Sequence, residues 1–128
     1  QEQVEAFLYL KEISDEDSVV FSHYSRGIWI NSLSERKNVM DSHFTYAPDV
    51  NKRFNQSMTF LQSTNLEEGK QFLTTYKVVY IYVDDEIRKR LWREDDDGLL
   101  YLFKYSKQFK RIYHNNGVEI WRLNRDGE

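Results

Sequence analysis

The 128-residue sequence contains no cysteine. This absence excludes a disulfide framework and any metal site built on thiolates. It leaves the redox compartment open, because extracellular domains of this size also fold without disulfides. The core must therefore be held together by packing and hydrogen bonds alone.

Long apolar runs are also missing. No stretch approaches the roughly 20 residues that a transmembrane helix needs, and residues 1–13 lack the basic start and apolar centre of a signal peptide. We expect residues 1–128 to form a single soluble α/β domain, since a chain of this length has room for one core. A start inside a predicted helix without an initiator methionine leads us to expect that the chain is a fragment of a longer protein.

An excess of positive charge is the third absence. The sequence has 18 basic and 21 acidic residues, which are interspersed, and a net charge of −3. Nucleic acid binding depends on a basic face that neutralises phosphates. We therefore expect no nucleic acid partner.

The first half of the chain alternates between helical and strand-like patterns. Residues 4–13 have apolar side chains near the 3.6-residue helical period, and residues 18–21 form a short β-branched and aromatic run. Ser25 is predicted to cap a short helix, and residues 38–40 are predicted to form a second strand. A further helix is predicted within residues 47–64.

The second half carries the clearest signals. Asn65 and Asp84 are placed to cap helices, and the continuous apolar run 78–83 is typical of a central strand covered on both faces. Residues 99–105 are predicted to be helical, and Asn116-Gly117 predicts a tight hairpin turn. We therefore predict a three-layer α/β domain with a mixed, partly parallel sheet, flanking helices and a C-terminal antiparallel hairpin.

Polar side chains follow the predicted strands where each strand ends. In open α/β sheets ligands bind outside the carboxyl ends of the strands, and the residues in this position are His23, Arg26, Asp41, His43 and Asp84. We predict that they form one ligand-binding crevice. The alternative is that these are ordinary polar loops and a helix cap. Imidazole and carboxylate can hold zinc, but no H-E-x-x-H pairing or other dense ligand spacing is present, so we expect no metal and no other cofactor.

Two further chemical patterns are incomplete. The acidic run 94–98 resembles the start of an EF-hand loop. Counted from Asp95, however, the twelfth position is Ser106 rather than glutamate. Ser25, His23 and Asp41 supply the residue types of a hydrolase triad, but no G-x-S-x-G elbow exposes the serine. We therefore expect the acidic run to be a solvated loop, and we expect no catalytic residue in the chain.

Aromatic residues are abundant, with nine tyrosines and three tryptophans. Tyr80 and Tyr82 fall on one face of the predicted central strand, which favours a role in core packing. Trp29 and Trp92 are the remaining candidates for a sugar-stacking surface. Asn55 begins an N-x-S triplet, a possible glycosylation site, although such triplets also arise by chance.

Three stretches of the chain carry a family resemblance. These are residues 6–22 (AFLYLKEISDEDSVVFS), 69–83 (GKQFLTTYKVVYIYV) and 99–123 (LLYLFKYSKQFKRIYHNNGVEIWRL). Together they make the chain resemble the extracytoplasmic C-terminal domain of polytopic membrane glycosyltransferases of the GT-C type, particularly archaeal and bacterial members.

The resemblance implies a role without a catalytic residue. In that family the acids that activate the lipid-linked sugar lie in loops beside the membrane helices, which this chain does not contain. The chain would then be a non-catalytic accessory domain on the extracytoplasmic face of the membrane, in an enzyme that uses a polyprenyl-phosphate-linked sugar. Its partners would be the membrane-embedded part of the same polypeptide and a saccharide or lipid-linked sugar.

The resemblance does not extend to the tryptophan-led acceptor-binding motif of oligosaccharyltransferase catalytic subunits. Trp29, Trp92 and Trp121 are followed by isoleucine, arginine and arginine. We therefore do not expect protein N-glycosylation as the activity. Two alternatives stay open: a free-standing ligand-binding or hydrolase-like domain that uses the strand-end crevice, and an interaction module. Hydrophobic spans directly before Gln1 would favour the membrane enzyme.

Overall fold

The computed structural model describes residues 1–39 and 50–124. Its helices are α1 (Glu2–Ile13), α2 (Gly27–Trp29), α3 (Val50–Gln62), α4 (Leu66–Thr75), α5 (Asp85–Leu91) and α6 (Leu99–Tyr105). Its strands are β1 (Val19–Phe21), β2 (Lys37–Asn38), β3 (Val78–Val83), β4 (Phe109–Asn115) and β5 (Val118–Leu123). A 3₁₀ turn precedes α2 and a π-helical turn follows it. Among the helices of these two ranges, none combines the length and the apolar character that crossing a membrane requires.

The strands form one mixed sheet in the order β2-β1-β3-β5-β4. Strand β1 runs parallel to both β2 and β3, whereas β5 is antiparallel to β3 and β4. The run 78–83 is therefore the central strand, as its continuous apolar character predicts. The partly parallel sheet is confirmed.

Helices cover both faces of this sheet. On one face the Phe7 ring of α1 stacks on Tyr82 of β3, with ring centroids 4.4 Å apart. On the other face Phe21 of β1 meets Phe60 of α3 and Phe72 of α4, at 5.3 and 5.2 Å. Because side chains alternate along a strand, β3 supplies core residues to both layers. The predicted three-layer arrangement is confirmed.

The C-terminal hairpin is also confirmed. Strands β4 and β5 pair up to Asn115 and Val118, and the two turn residues between them, Asn116 and Gly117, have φ angles of 47° and 85°. A two-residue turn with positive φ at both positions matches the right-handed twist of the strands that it joins. The Asn-Gly pair supplies these angles at low cost.

Two local predictions need correction. Ser25 does not cap α2, which begins without a side-chain cap. Instead, the backbone N–H of Ser25 donates to His23 Nδ1 across the 3₁₀ turn, because the chain turns one step earlier than the pattern indicates. The second strand ends at Asn38 rather than Met40; Met40 lies outside the described residues.

Candidate functional site

The parallel pairing of β1 and β3 brings their carboxyl ends to one edge of the sheet. The chain leaves β1 through Ser22 and His23, and the Ser22 hydroxyl donates to the backbone carbonyl of Tyr82 at 2.7 Å. At the same edge β3 is followed by Asp84, which receives a hydrogen bond from Arg26. Of the predicted crevice residues, Arg26 and Asp84 are therefore in direct contact, and His23 follows β1 at the same edge.

Asp84 is the centre of this edge and is only 1% exposed. Its Oδ1 accepts the backbone N–H of Ile87 at 2.9 Å, which caps α5. Its Oδ2 accepts both Arg26 Nε and the Tyr82 hydroxyl, each at 2.9 Å. Burial raises the pKa of Asp84, but the bonds from Arg26, the Ile87 N–H and Tyr82 outweigh it and hold the pKa below its usual value.

Arg26 links this buried carboxylate to the surface. Its side chain is 12% exposed, and its Nη2 also reaches the exposed Glu86 carboxylate at 3.3 Å. Desolvation alone would lower the pKa of Arg26, but the hydrogen bond and charge of Asp84 raise it. The guanidinium is therefore held as a cation against the end of β3.

His23 lies beside the ion pair and is 3% exposed. Its Nδ1 accepts the Ser25 backbone N–H at 3.2 Å and lies 2.8 Å from the Ser25 hydroxyl, which places the proton of the neutral ring on Nε2. Burial lowers the pKa of His23, the charges of Arg90 and Arg26 lower it further, and Asp84 opposes them. His23 is therefore neutral at pH 7.

This burial predicts a pH response that belongs to His23. Because its folded pKa is lowered, its contribution to stability is complete above its unfolded pKa near about 6.5 and is lost as the pH falls from there toward the folded value. Replacing His23 by asparagine keeps an acceptor for the Ser25 N–H and removes the titration. We expect urea unfolding at several pH values to show a smaller loss of stability below about pH 6.5 in the His23→Asn variant than in the wild type.

The exposed His114 supplies the control. His114 is exposed on β4, so the His114→Asn variant measures the effect of losing a histidine away from the strand-end edge. Parallel profiles for the wild type and His23→Asn would contradict the assignment of a buried neutral His23.

The other two residues of the predicted crevice, Asp41 and His43, lie outside the described residues. Within residues 1–39 and 50–124, no group of three or more His, Asp or Glu side chains is placed to hold a metal ion. Ligand binding by the five-residue set stays a prediction. What the structure adds is that Asp84, the most buried of the three described members, already has partners on both oxygens.

An exposed apolar surface lies beside this edge. It consists of Tyr24, Ile28, Trp29 and Phe54, and we call it the edge patch. Ile28 is the most exposed at 67%, and the rings of Tyr24 and Phe54 are in contact at 5.4 Å. Contiguous exposed apolar surface marks contact sites on soluble domains, and the Tyr24–Phe54 pair is the part of the edge patch whose rings are in contact.

The sequence contains one indication of the edge patch, a run of three consecutive apolar residues in a predicted helical turn. Ile28, Trp29 and Ile30 are consecutive, and three neighbours on a helical turn point in three directions. Only Ile30 is buried, at 1% exposure. Phe54 has core spacing on α3 but is partly exposed. Which apolar side chains stay outside depends on how the turns pack.

The remaining candidates from the sequence are placed as follows. Trp92 is buried, and its Nε1 donates to the Leu61 carbonyl at 3.0 Å, so it is a core residue rather than a stacking surface. Tyr80 and Tyr82 are buried as expected. Asn55 is exposed on α3, and its glycosylation stays a prediction.

The acidic run 94–98 forms a turn stabilised by its own backbone. Asp97 Oδ2 accepts the N–H groups of Arg93 and Glu94, both at 3.1 Å. Asp95 pairs with Lys104 on the surface at 3.5 Å. These contacts fit the expected solvated acidic loop.

Comparison with solved structures identifies the fold. One match is the C-terminal globular domain of an oligosaccharyltransferase from Archaeoglobus fulgidus, at 15% identity and a TM-score of 0.72, covering 94% of this chain and 96% of that one. Another crystal structure of such a domain from the same organism matches at 14% identity and a TM-score of 0.57, covering 95% and 93%. No protein-family model and no curated protein matches the sequence.

A third match is to a much longer chain. It is the Archaeoglobus fulgidus oligosaccharyltransferase tethered through a disulfide bond to an acceptor peptide containing the NVT sequon, at 14% identity and a TM-score of 0.55. The match covers 98% of this chain but 18% of that one. The chain therefore shares its fold with a C-terminal globular domain that is a small part of a larger enzyme.

Proposed function

We propose that this chain is a non-catalytic accessory domain of a membrane glycosyltransferase that takes sugar from a polyprenyl-phosphate carrier. The observation that carries the proposal is the shared fold, which extends over nearly the whole of this chain and of an oligosaccharyltransferase C-terminal domain. The domain would lie on the extracytoplasmic face, where it would contact the membrane-embedded part of the same polypeptide.

The use of the buried carboxylates supports a non-catalytic role. Both oxygens of Asp84 have partners within the fold. Glu119 is held in the same way, by Arg88 at 2.7 Å, Arg111 at 2.9 Å and the Trp121 indole N–H at 3.1 Å. A general base or cation ligand needs an oxygen aimed at the reacting group. These two carboxylates instead stabilise the ends of β3 and β5.

The edge patch is the proposed contact surface. It combines exposed apolar side chains with the Arg26 and Glu86 charges at its border, the composition expected of a contact face with a polar rim. Docking there against the membrane part would place the strand ends next to the reaction. The domain would then shape the site for a saccharide or lipid-linked sugar without supplying the catalytic acid.

The acceptor in this proposal is not a sequon-bearing peptide. The acceptor peptide belongs to the Archaeoglobus enzyme. The present sequence lacks the tryptophan-led acceptor motif, since its tryptophans are followed by isoleucine and arginine. We therefore propose that the parent enzyme transfers sugar to an acceptor other than protein asparagine.

The proposal predicts that Ile28 matters for acceptor use. In the membrane protein that contains this chain, Ile28→Asn should raise the acceptor KM by about tenfold, because one buried apolar side chain contributes roughly 1.5–3 kcal/mol to a contact. The turnover number should change less, since the catalytic acids lie elsewhere. Steady-state transfer from a polyprenyl-phosphate sugar measures both quantities.

Ile13→Asn is the matched control. Ile13 is a partly exposed isoleucine at the end of α1, at the opposite edge of the sheet. Equal acceptor KM values in the two variants, with both folded, would refute the edge patch as the contact surface.

A further inference from the structure

A groove lies between α3 and α4, away from the strand-end edge. Its volume is about 390 Å³, and it opens to solvent along one side. Phe60 and Phe72 form its floor. Neutral polar side chains and one tyrosine form most of the rim: Asn55, Gln56, Thr59, Gln71, Thr75 and Tyr76.

The floor of the groove is held in place by close packing. The Phe60 and Phe72 rings are stacked, with centroids 4.7 Å apart and planes 13° apart. Gly69 of α4 permits this arrangement, since a Cβ at that position would lie 3.3 Å from Phe60 Cε1. Phe21 of β1 supports both rings from below. The groove therefore has a fixed shape before any ligand enters.

The rim retains hydrogen-bonding capacity. In the part of the chain that the structure describes, the side chains of Asn55, Thr59, Gln71 and Thr75 have no hydrogen-bond partner in the protein. The other two rim residues bond to each other, with the Tyr76 hydroxyl donating to the Gln56 side chain. Two amides and two hydroxyls of the lining residues are therefore available as donors and acceptors.

The charge of the lining restricts the ligand. Among the described residues that line the groove, Glu68 is the only ionised one, and it lies within 3.4 Å of the Ser63 hydroxyl at one end. A phosphate or carboxylate ligand would need lysine or arginine in the lining. The Arg53 guanidinium lies 5.2 Å from the centre of the Tyr76 ring but is not part of the lining. The lining itself favours a neutral ligand that offers several hydroxyl groups.

We propose that the α3–α4 groove binds a neutral saccharide of one or two rings. The rings of Phe60 and Phe72 are 3% and 8% exposed, so the C–H groups of a sugar would contact the narrow apolar floor that they leave open. The sugar hydroxyls would bond to the amide and hydroxyl groups of the rim. The volume falls in the range of small-ligand sites, which is roughly 300–1,000 Å³. This site is separate from the edge patch and does not depend on the proposed accessory role.

An NMR titration of the isotope-labelled chain tests the proposal. The probes are methyl α-mannoside, N-acetylglucosamine and maltose, each added to tens of millimolar. At least one should bind with a millimolar Kd and shift amide signals of α3 and α4 around Thr59, Gln71 and Thr75. No binding by any of the three sugars, or shifts confined to other elements, would overturn the proposal. If inorganic phosphate bound in the groove more strongly than the three sugars, the proposal that the ligand is neutral would be overturned.

Variants on neighbouring positions separate the groove from the general surface of α4. Thr75→Ala and Gln71→Ala should each weaken sugar binding by about fivefold, the effect of one lost hydrogen bond. Thr74→Ala, an exposed threonine outside the groove lining, should leave the Kd unchanged. Equal effects of Thr74→Ala and Thr75→Ala would overturn the assignment. Glycosyl transfer by the parent enzyme is measured separately, so failure here leaves the proposed function standing.

Discussion

Replacing Asp84 by alanine is expected to lower the free energy of unfolding by about 3–5 kcal/mol, the usual cost of breaking a buried ion pair on one side. The variant leaves the Arg26 guanidinium, which is 12% exposed, without its buried partner. It also leaves the Tyr82 hydroxyl and the Ile87 N–H without their acceptor. Urea unfolding at pH 7 measures the loss.

The neighbouring Asp85 is the control for this prediction. Its side chain is 66% exposed and pairs with Arg88 at 2.9 Å, so Asp85→Ala should cost less than about 1 kcal/mol. Both substitutions remove one negative charge at the start of α5. Similar losses for the two variants would show that the buried ion pair does not stabilise the strand-end edge.

The pH dependence gives the Asp84 prediction a second signature. Since the folded pKa of Asp84 is lowered, its contribution is complete above the unfolded pKa near about 3.9 and is lost as the pH falls through the folded value. The stability difference between the wild type and Asp84→Ala should therefore shrink in acid. A difference that grows as the pH falls would contradict the charged state of Asp84.

Replacing Gly98 by alanine is expected to cost about 3 kcal/mol or more. Gly98 has φ 52° and ψ −132°, a conformation that strains any residue with a Cβ by about 1–3 kcal/mol. The new Cβ would lie 2.4 Å from the Leu61 carbonyl oxygen and 2.7 Å from Trp92 Nε1. It would therefore also disrupt the buried hydrogen bond between those two groups, at about 1–3 kcal/mol.

The Gly117→Ala variant shows how much of the expected Gly98→Ala effect comes from backbone strain and how much from the steric clash of the new Cβ. Gly117 also has positive φ, at 85°, but its added Cβ would meet the carboxylate of Asp85, an exposed side chain that can move away. We expect a loss of about 1 kcal/mol there. Thermal unfolding of both variants gives the comparison, and equal melting temperatures would show that the contact of Gly98 with Leu61 and Trp92 is not tight.

The elements that the sequence predicted well are those fixed by local chemistry. The hairpin follows from Asn116-Gly117, whose φ angles are both positive. Asn65 and Asp84 accept backbone N–H groups three residues later, as helix caps do. The central position of the run 78–83 follows from its continuous apolar character. None of these features needs knowledge of a distant part of the chain.

The features that the sequence did not reveal depend on distant contacts. The exposure of Ile28 and Trp29 depends on the turn packing inward through Gly27 and Ile30. The α3–α4 groove requires Gly69 to lie against the ring of Phe60. The carboxyl ends of parallel strands were expected to meet. That Arg26, Tyr82 and the Ile87 N–H donate hydrogen bonds to both oxygens of one aspartate depends on how the folded chain packs.

The central proposal is that the domain assists glycosyl transfer, as part of a larger membrane protein, without carrying it out. The most direct measurement supplies the purified chain with polyprenyl-phosphate-linked sugars and a panel of acceptors, alone and joined to the membrane-embedded part of its parent protein. We predict no transfer by the chain alone and transfer when the membrane part is present, because the catalytic acids must act against the lipid phosphate at the membrane. Transfer by the purified chain alone would contradict the proposal.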